Sequence, residues 1–275
     1  MTLRPSRIAV FGGPEESLAI ARALASSCCA RLTLVGRTPG EGDALAREAG
    51  GGTIGGRDLG ALAGADVVIL ASTTPAAPEL RESGACVARY AADAIVICAG
   101  ESSITCAREL LRGSRLSSKR VLAIGGAASS RCRAREIAAR HGVDAKQVSH
   151  LVAGGDDPEL VELRRYTTIA GIPARLLAGD VLALDAGAQR PRERPDGTPV
   201  SSLAERAWAA SLLAGAVVTD RRRIVCCGVS AEGSLGMAPL FGTLPAILGR
   251  NGCEGIFPAA LTLEERSFVQ RVAGG

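Results

Sequence analysis

The chain has 275 residues, 47% apolar and 22% charged, which gives one large or two ordinary domains with a real core and excludes a disordered chain. Aromatic residues make up only 3%, so that core must be built from Ala, Val, Leu and Ile. A formal charge of +4, spread over scattered arginines, is too small to mark a nucleic-acid surface.

Residues 7–11 read as a short apolar strand ending at Gly12-Gly13, with no room before it for a signal peptide. An amphipathic helix over 15–27, with Leu18, Ala21 and Ala25 on one face, leads to a second strand at 31–35. That is a βαβ unit of about thirty residues, the length a parallel crossover needs. The runs 65–71, 94–98 and 119–125 are continuously apolar, as in strands buried on both faces, and helical stretches at 77–91 and 102–112 lie between them. Five such strands alternating with helices predict an α/β fold: a Rossmann-type doubly wound parallel sheet in a first domain over 1–127.

A second, α+β domain is expected over 128–275. It starts with a helix at 130–141 that stops at Gly142. Strand-like segments at 147–153 and 167–172 follow, then a Pro- and charge-rich loop at 186–200, an Ala-rich helix at 201–218 and a strand at 223–229. Arg221-Arg222-Arg223 beside Asp220 reads as a solvated turn, because no aromatic residues interleave with it for base stacking. No apolar run reaches membrane-spanning length.

Nine cysteines raise the question of disulfides or metal. Cys98, Cys226 and Cys227 sit inside apolar strands and Cys28-Cys29 ends a helix, positions suited to free buried thiols. No C-x-x-C pair or His partner offers metal spacing. The expectation is a reduced, cytoplasmic protein with no metal.

The segment Pro245-Ala-Ile-Leu-Gly-Arg-Asn-Gly-Cys-Glu254, followed by Leu261-Thr-Leu-Glu-Glu265, closely resembles the C-terminal part of the lactate/malate dehydrogenase family. The helix Arg131–Asp144, the strand Thr168-Ile-Ala-Gly-Ile-Pro173 and residues 208–236 resemble further parts of it. The resemblance implies an N-terminal dinucleotide-binding domain, a C-terminal substrate domain and assembly into dimers or tetramers.

Reduction of a 2-keto acid needs a general acid for the developing alkoxide, a carboxylate to orient its imidazole, and a fixed guanidinium for the substrate carboxylate. In the family the orienting Asp and the clamping Arg lie in an Asp-Ser-Ala-Arg motif; alignment puts Ser129 and Cys132 there, with Arg131 and Arg133 flanking Cys132. A one-residue shift on a helix turns a side chain by about 100°, so neither flanking Arg is an automatic replacement. The family histidine lies in Gly-Glu-His-Gly-Asp; here Gly154-Gly-Asp-Asp-Pro158 places Asp156 at that position. The two histidines present, His141 and His150, read as a surface residue and a structural one. No catalytic residue is therefore assigned. The remaining candidates are Asp156, whose pKa burial and Asp157 could raise, and Cys132, beside two arginines. A turn and a buried helix thiol are the plainer readings of these two positions.

Of the three fingerprint glycines only Gly12 is kept; Pro14 and Ser17 occupy the other places, and a turn slipped to Gly13 meets Glu15 and Leu18. Glu15 and Glu16 also put carboxylates where phosphate charge should sit. After the second strand, Gly36-Arg37-Thr38 resembles enzymes that accept a 2′-phosphate, so Arg37 favours NADP over NAD. The implied cofactor contacts are Gly12, Gly13, Arg37, Ala71 and Ser72, with NADP or NAD binding weakened or lost; the implied substrate contacts are Arg81 and Arg131. The expectation is a non-catalytic scaffold or regulatory subunit, in a homo-oligomer or paired with an active paralogue. The alternative is an NAD(P)-dependent oxidoreductase with altered chemistry on a small carbonyl or 2-hydroxy acid. Neither nucleic acid nor membrane is an expected partner.

Overall fold

A computed structural model of the chain describes residues 5–27, 30–38, 40–56, 58–71, 77–156, 159–177 and 202–274. Its first half alternates β1 (Arg7–Gly12), α1 (Pro14–Ala25), β2 (Arg31–Val35), α2 (Glu41–Ala49), β3 (Ile54–Gly56), β4 (Val67–Ala71), α3 (Ala77–Tyr90), β5 (Ile95–Cys98), α4 (Ser103–Gly113) and β6 (Val121–Ala123). These strands pair in parallel in the order β3-β2-β1-β4-β5-β6, the doubly wound order whose ligand crevice opens at the carboxyl ends of the strands. Residues of β4 and β5 are buried throughout, which is why those runs carry no polar alternation.

The second half contains α5 (Gly126–His141), β7 (Val148–Ser149), β8 (Val152–Gly154), β9 (Leu160–Glu162), β10 (Thr168–Ile169), β11 (Ile172–Pro173), α6 (Leu203–Thr219), β12 (Arg223–Ala231), β13 (Leu240–Gly249), β14 (Gly252–Ile256) and α7 (Leu263–Ala273). The antiparallel strands β12, β13, β8 and β9 extend the sheet beyond β6, joined there through Gly228 opposite Ala123. A Cβ at Gly228 would fall 2.7 Å from the Ala123 side chain and 2.3 Å from Ile104, so the join needs glycine. Helix α6 is capped by Ser202 and Glu205 in a capping box and buries Ala207, Ala209, Ala210, Leu213 and Ala214. Small side chains let it lie close against α1, and one continuous core runs from β1 to α7.

Several expected elements have different bounds. The helix expected at 130–141 starts at Gly126. The strand expected at 147–153 divides around His150-Leu151, and that at 167–172 turns back on itself at Ala170 and Gly171, which have φ of 52° and 79°. α2, β3, β9, β13, β14 and α7 were not separately foreseen. Cys28-Cys29 and the loop 186–200 lie outside the described residues. The described cysteines are free thiols. Burial pushes Cys226 up to about 12 and Cys98 and Cys227 well above the usual thiol range, so all three act as small apolar groups.

Candidate functional site

The carboxyl ends of β1 and β4 meet at Gly12. Its φ is +154°, and a Cβ there would lie 1.7 Å from the carbonyl oxygen of Ala71. The next amide, Gly13 N–H, donates to that same oxygen at 2.8 Å. Gly12, Gly13 and Ala71 are thus brought together, while Ser72 lies outside the described residues. The turn leads into α1 with Pro14 in its first position, which removes one N–H from the helix end. Glu16 folds back over it: Oε2 stands 2.3 Å from where a Gly13 Cβ would be. A carboxylate therefore lies on the turn that a pyrophosphate would approach, and like charges compete there. Ser17, at the place of the third glycine, is fully buried, and its hydroxyl has no hydrogen-bond partner among the described residues. This turn fits the phosphate half of a dinucleotide poorly.

The neighbouring crevice fits the other half better. A pocket of about 770 Å³ opens beyond β1 and β2, bounded by Phe11, Arg37, Asp58, Glu79, Glu82 and Tyr90. That volume lies within the range of small-molecule sites, on the side of the sheet where this fold class binds ligands. Arg37 is exposed at its rim. The amides of Arg37 and Thr38 and the Thr38 hydroxyl donate to one oxygen of Glu41 at 2.7, 3.0 and 3.3 Å.

The second constellation lies at the amino end of α4. Asp156 reaches across from the loop after β8 and caps that helix. It accepts hydrogen bonds from Ser103 Oγ (3.1 Å), from Ile104 N–H (2.9 and 3.1 Å to its two oxygens) and from Thr105 N–H (3.3 Å). Ser103 Oγ in turn accepts from Gly125 N–H at 3.0 Å. Burial raises the Asp156 carboxyl above the usual range, against the pull of these donors and of Arg108. Thr243 bridges the same junction, accepting from Gly126 N–H at 3.1 Å and donating to Gly155 O at 2.9 Å.

Other sequence candidates are dispersed. Cys132 hydrogen-bonds Glu205 at the start of α6. The guanidinium of Arg131 lies 3.9 Å from the centroid of Trp208, a cation–π contact. Arg81 is held on the α3–α4 face by Glu109 at 2.9 Å. His141 is exposed, and Asp157 lies outside the described residues. Among the described residues no group of His, Cys, Asp and Glu has the arrangement to hold a metal, and no helix is long and apolar enough to cross a membrane.

Sequence reading missed the buried ionic cluster of the second half. Arg133, 5% exposed in its side chain, pairs with Glu136 at 2.7 Å and Glu162 at 3.0 Å. Glu162 also faces Arg164 at 3.5 Å and His150 Nε2 at 4.0 Å. His150 Nδ1 and Thr167 Oγ1 are hydrogen-bonded at 2.9 Å. Burial, then Arg133 and Arg164, depresses His150 from 6.5 to about 3, so it is neutral in the folded protein. Unfolding frees it to bind a proton. Its contribution to stability is present above pH 6.5 and is lost as the pH falls toward 3. Urea unfolding is therefore expected to show the stability of wild type falling relative to His150→Gln over that window. A constant difference between the two proteins contradicts the assignment.

Glu41 and the pocket walls Asp58, Glu79, Glu82 and Tyr90 were also missed. A signal for Glu41 existed: Thr38-Pro39-Gly40-Glu41 has the S/T-x-x-E spacing of a capping box. The cluster around Arg133 left no comparable signal, because its members come from three separate stretches of the chain.

Strand order and the glycine-dependent β1–β4 junction define a doubly wound, Rossmann-type α/β protein extended by an antiparallel lobe. No family model matches the chain. The malate dehydrogenase of Xanthobacter autotrophicus is 27% identical over 236 residues, 77% of this chain and 73% of that protein. The malate dehydrogenase of Ehrlichia canis is 30% identical over 191 residues, 66% of this chain and 61% of that protein. The structure of a Cryptosporidium parvum lactate dehydrogenase with lactic acid and nicotinamide adenine dinucleotide matches with a TM-score of 0.82 at 21% identity, covering 98% of this chain and 95% of that one. The chain is similar to malate dehydrogenases in sequence and to lactate and malate dehydrogenases in fold.

Proposed function

We propose that this protein does not reduce 2-keto acids and acts instead as a scaffold or regulatory subunit, in a homo-oligomer or beside an active relative. One observation carries the reading. The residue aligned with the family's proton donor, Asp156, has both oxygens engaged by the amino end of α4. A carboxylate so placed is a helix cap; to act as a general acid it would have to release those donors. The positions aligned with the orienting carboxylate and the clamping guanidinium hold Ser129 and Cys132, and Arg131 stacks on Trp208. In this reading residues 1–127 form the nucleotide-type domain and 128–275 the lobe that once bound substrate.

A second reading is favoured by the 770 Å³ crevice: an NAD(P)-dependent oxidoreductase with altered chemistry on a small carbonyl or 2-hydroxy acid. In it the crevice residues would hold the adenosine end of the cofactor, which when bound supplies hydride chemistry. The turn under Glu16 is a poor match for the pyrophosphate.

The test is turnover of pyruvate and of oxaloacetate with NADH and with NADPH, followed by loss of nicotinamide absorbance. No turnover is expected. Rates of about 1 s⁻¹ or more, the lower end of ordinary enzymes, contradict the first reading. Turnover confined to other small carbonyls establishes the second.

A further inference from the structure

We propose that the groove between α5 and α6 is a binding site for a small organic anion with an apolar body, gripped by Arg131 where it stacks on Trp208. The groove is separate from the crevice beyond β1 and β2, and the inference does not depend on how that crevice is read.

Two helix faces form the walls. Ala127, Ser130, Arg131 and Ala134 recur at helical spacing along α5, and Trp208, Ser211, Leu212 and Gly215 do so along α6. With the first residues of β12 they bound a cavity of about 840 Å³, within the range of small-molecule sites. Ser129 and Cys132, the positions aligned with the orienting carboxylate and the clamping guanidinium, fall on other faces of α5 and do not line it.

Gly215 keeps the floor open. It stands inside α6, where glycine is less favourable than alanine. No described atom outside its own stretch of helix lies within 4 Å of where its Cβ would be, so close packing does not demand glycine there. Gly228 is the contrast, since a Cβ there would strike two neighbours. Arg131 supplies the grip. Its guanidinium lies 3.9 Å from the centroid of Trp208, and stacking occupies the face of the group while its N–H donors remain at the edge. Nη1 is buried and has no hydrogen-bond partner among the described residues. A buried donor left unpaired is costly, and an anion in the groove would satisfy it.

The charge balance points the same way. Among the described residues Arg131, Arg135, Lys146 and Arg223 line the groove, with one carboxylate, Asp144, among its walls. Asp144 accepts from Lys146 N–H at 2.8 Å, and Glu205 pairs with Arg135 at 3.7 Å. Four cations against these two carboxylates leave two positive charges over. Burial, then the like charge of Arg135, lowers the Arg131 pKa, as expected of a cation short of counter-charge. Trp208, Leu212, Val148 and Val225 supply apolar wall. A ligand that answers both features carries a phosphate or carboxylate head on an apolar body.

Trp208 is the only tryptophan of the chain, so its fluorescence reports on this groove alone. Titration with phenyl phosphate, benzoate and neutral phenol tests the proposal on wild type, Arg131→Met and Gly215→Leu, with thermal unfolding used to verify that each variant is folded. Wild type is expected to bind one of the two anions on the order of tenfold tighter than phenol, and the tighter anion identifies the head. Arg131→Met should lose that preference, and Gly215→Leu, which fills the floor, should lose binding of all three probes. Loss in either folded variant supports the site. Equal binding of anions and phenol, affinities unchanged in both variants, or no response to any probe overturns it. So does binding that weakens as protein concentration rises, which would make the groove a contact between copies of the chain.

Discussion

Arg133→Met is expected to destabilise the protein by about 3 kcal/mol, measured by urea unfolding at neutral pH. Arg133 is 5% exposed in its side chain, and Glu162, facing it at 3.0 Å, is 18% exposed. Removing the cation leaves that carboxylate half-satisfied: Arg164 remains, but its Nε is 3.5 Å from the other oxygen, and His150 is neutral. Breaking one side of a buried ion pair costs more than the pair contributes, because the remaining charge stays desolvated. Replacing both members with apolar residues avoids that penalty. Arg133→Met combined with Glu162→Leu should therefore lose less stability than Arg133→Met alone, a non-additivity that a double-mutant cycle reads directly. The same substitution removes a cation that depresses His150, so the acid-induced loss of stability, which starts near pH 6.5 in both proteins, should be smaller and end at a higher pH in Arg133→Met than in wild type. Single and double variants both as stable as wild type would show the cluster to be energetically idle.

The parallel half of the fold is legible in the sequence because burial on both faces leaves continuous apolar runs: 65–71 and 94–98 correspond to β4 and β5. β3 escapes because Ile54-Gly-Gly56 is short and its glycines carry no pattern; Gly55 and Gly56 are there to let α2 and Val35 pack closely. The β7–β11 region misreads for a different reason. His150, Ala170 and Gly171 interrupt apolar segments at points fixed by tertiary contacts, and no local periodicity marks them. At the candidate site, the residue types present are plain in the sequence. What they touch is not. That Asp156 reaches an amide 52 residues away depends on which chain ends the sheet brings together.

Asp156→Ala is expected to cost about 2 kcal/mol, through loss of charge-assisted bonds to the first turn of α4 and exposure of its orphan donors. The favourable interaction of a carboxylate with the helix amino end is lost at the same time. Asp156→Asn keeps an acceptor oxygen and drops the charge whose burial raises the carboxyl pKa, so it should lose less. Both substitutions act on Ser103, which Asp156 holds in position to accept from Gly125 N–H, and thereby on the junction of α4 with α5. A residue used for proton transfer behaves differently: its removal abolishes turnover and leaves the helix end unaffected.

The decisive measurement is amide hydrogen exchange at Ile104 and Thr105, read together with urea unfolding of wild type, Asp156→Asn and Asp156→Ala. A structural cap at Asp156 predicts faster exchange at these two amides in the variants and a stability ranking of wild type, then Asn, then Ala. Unchanged protection and equal stability in all three proteins would contradict it.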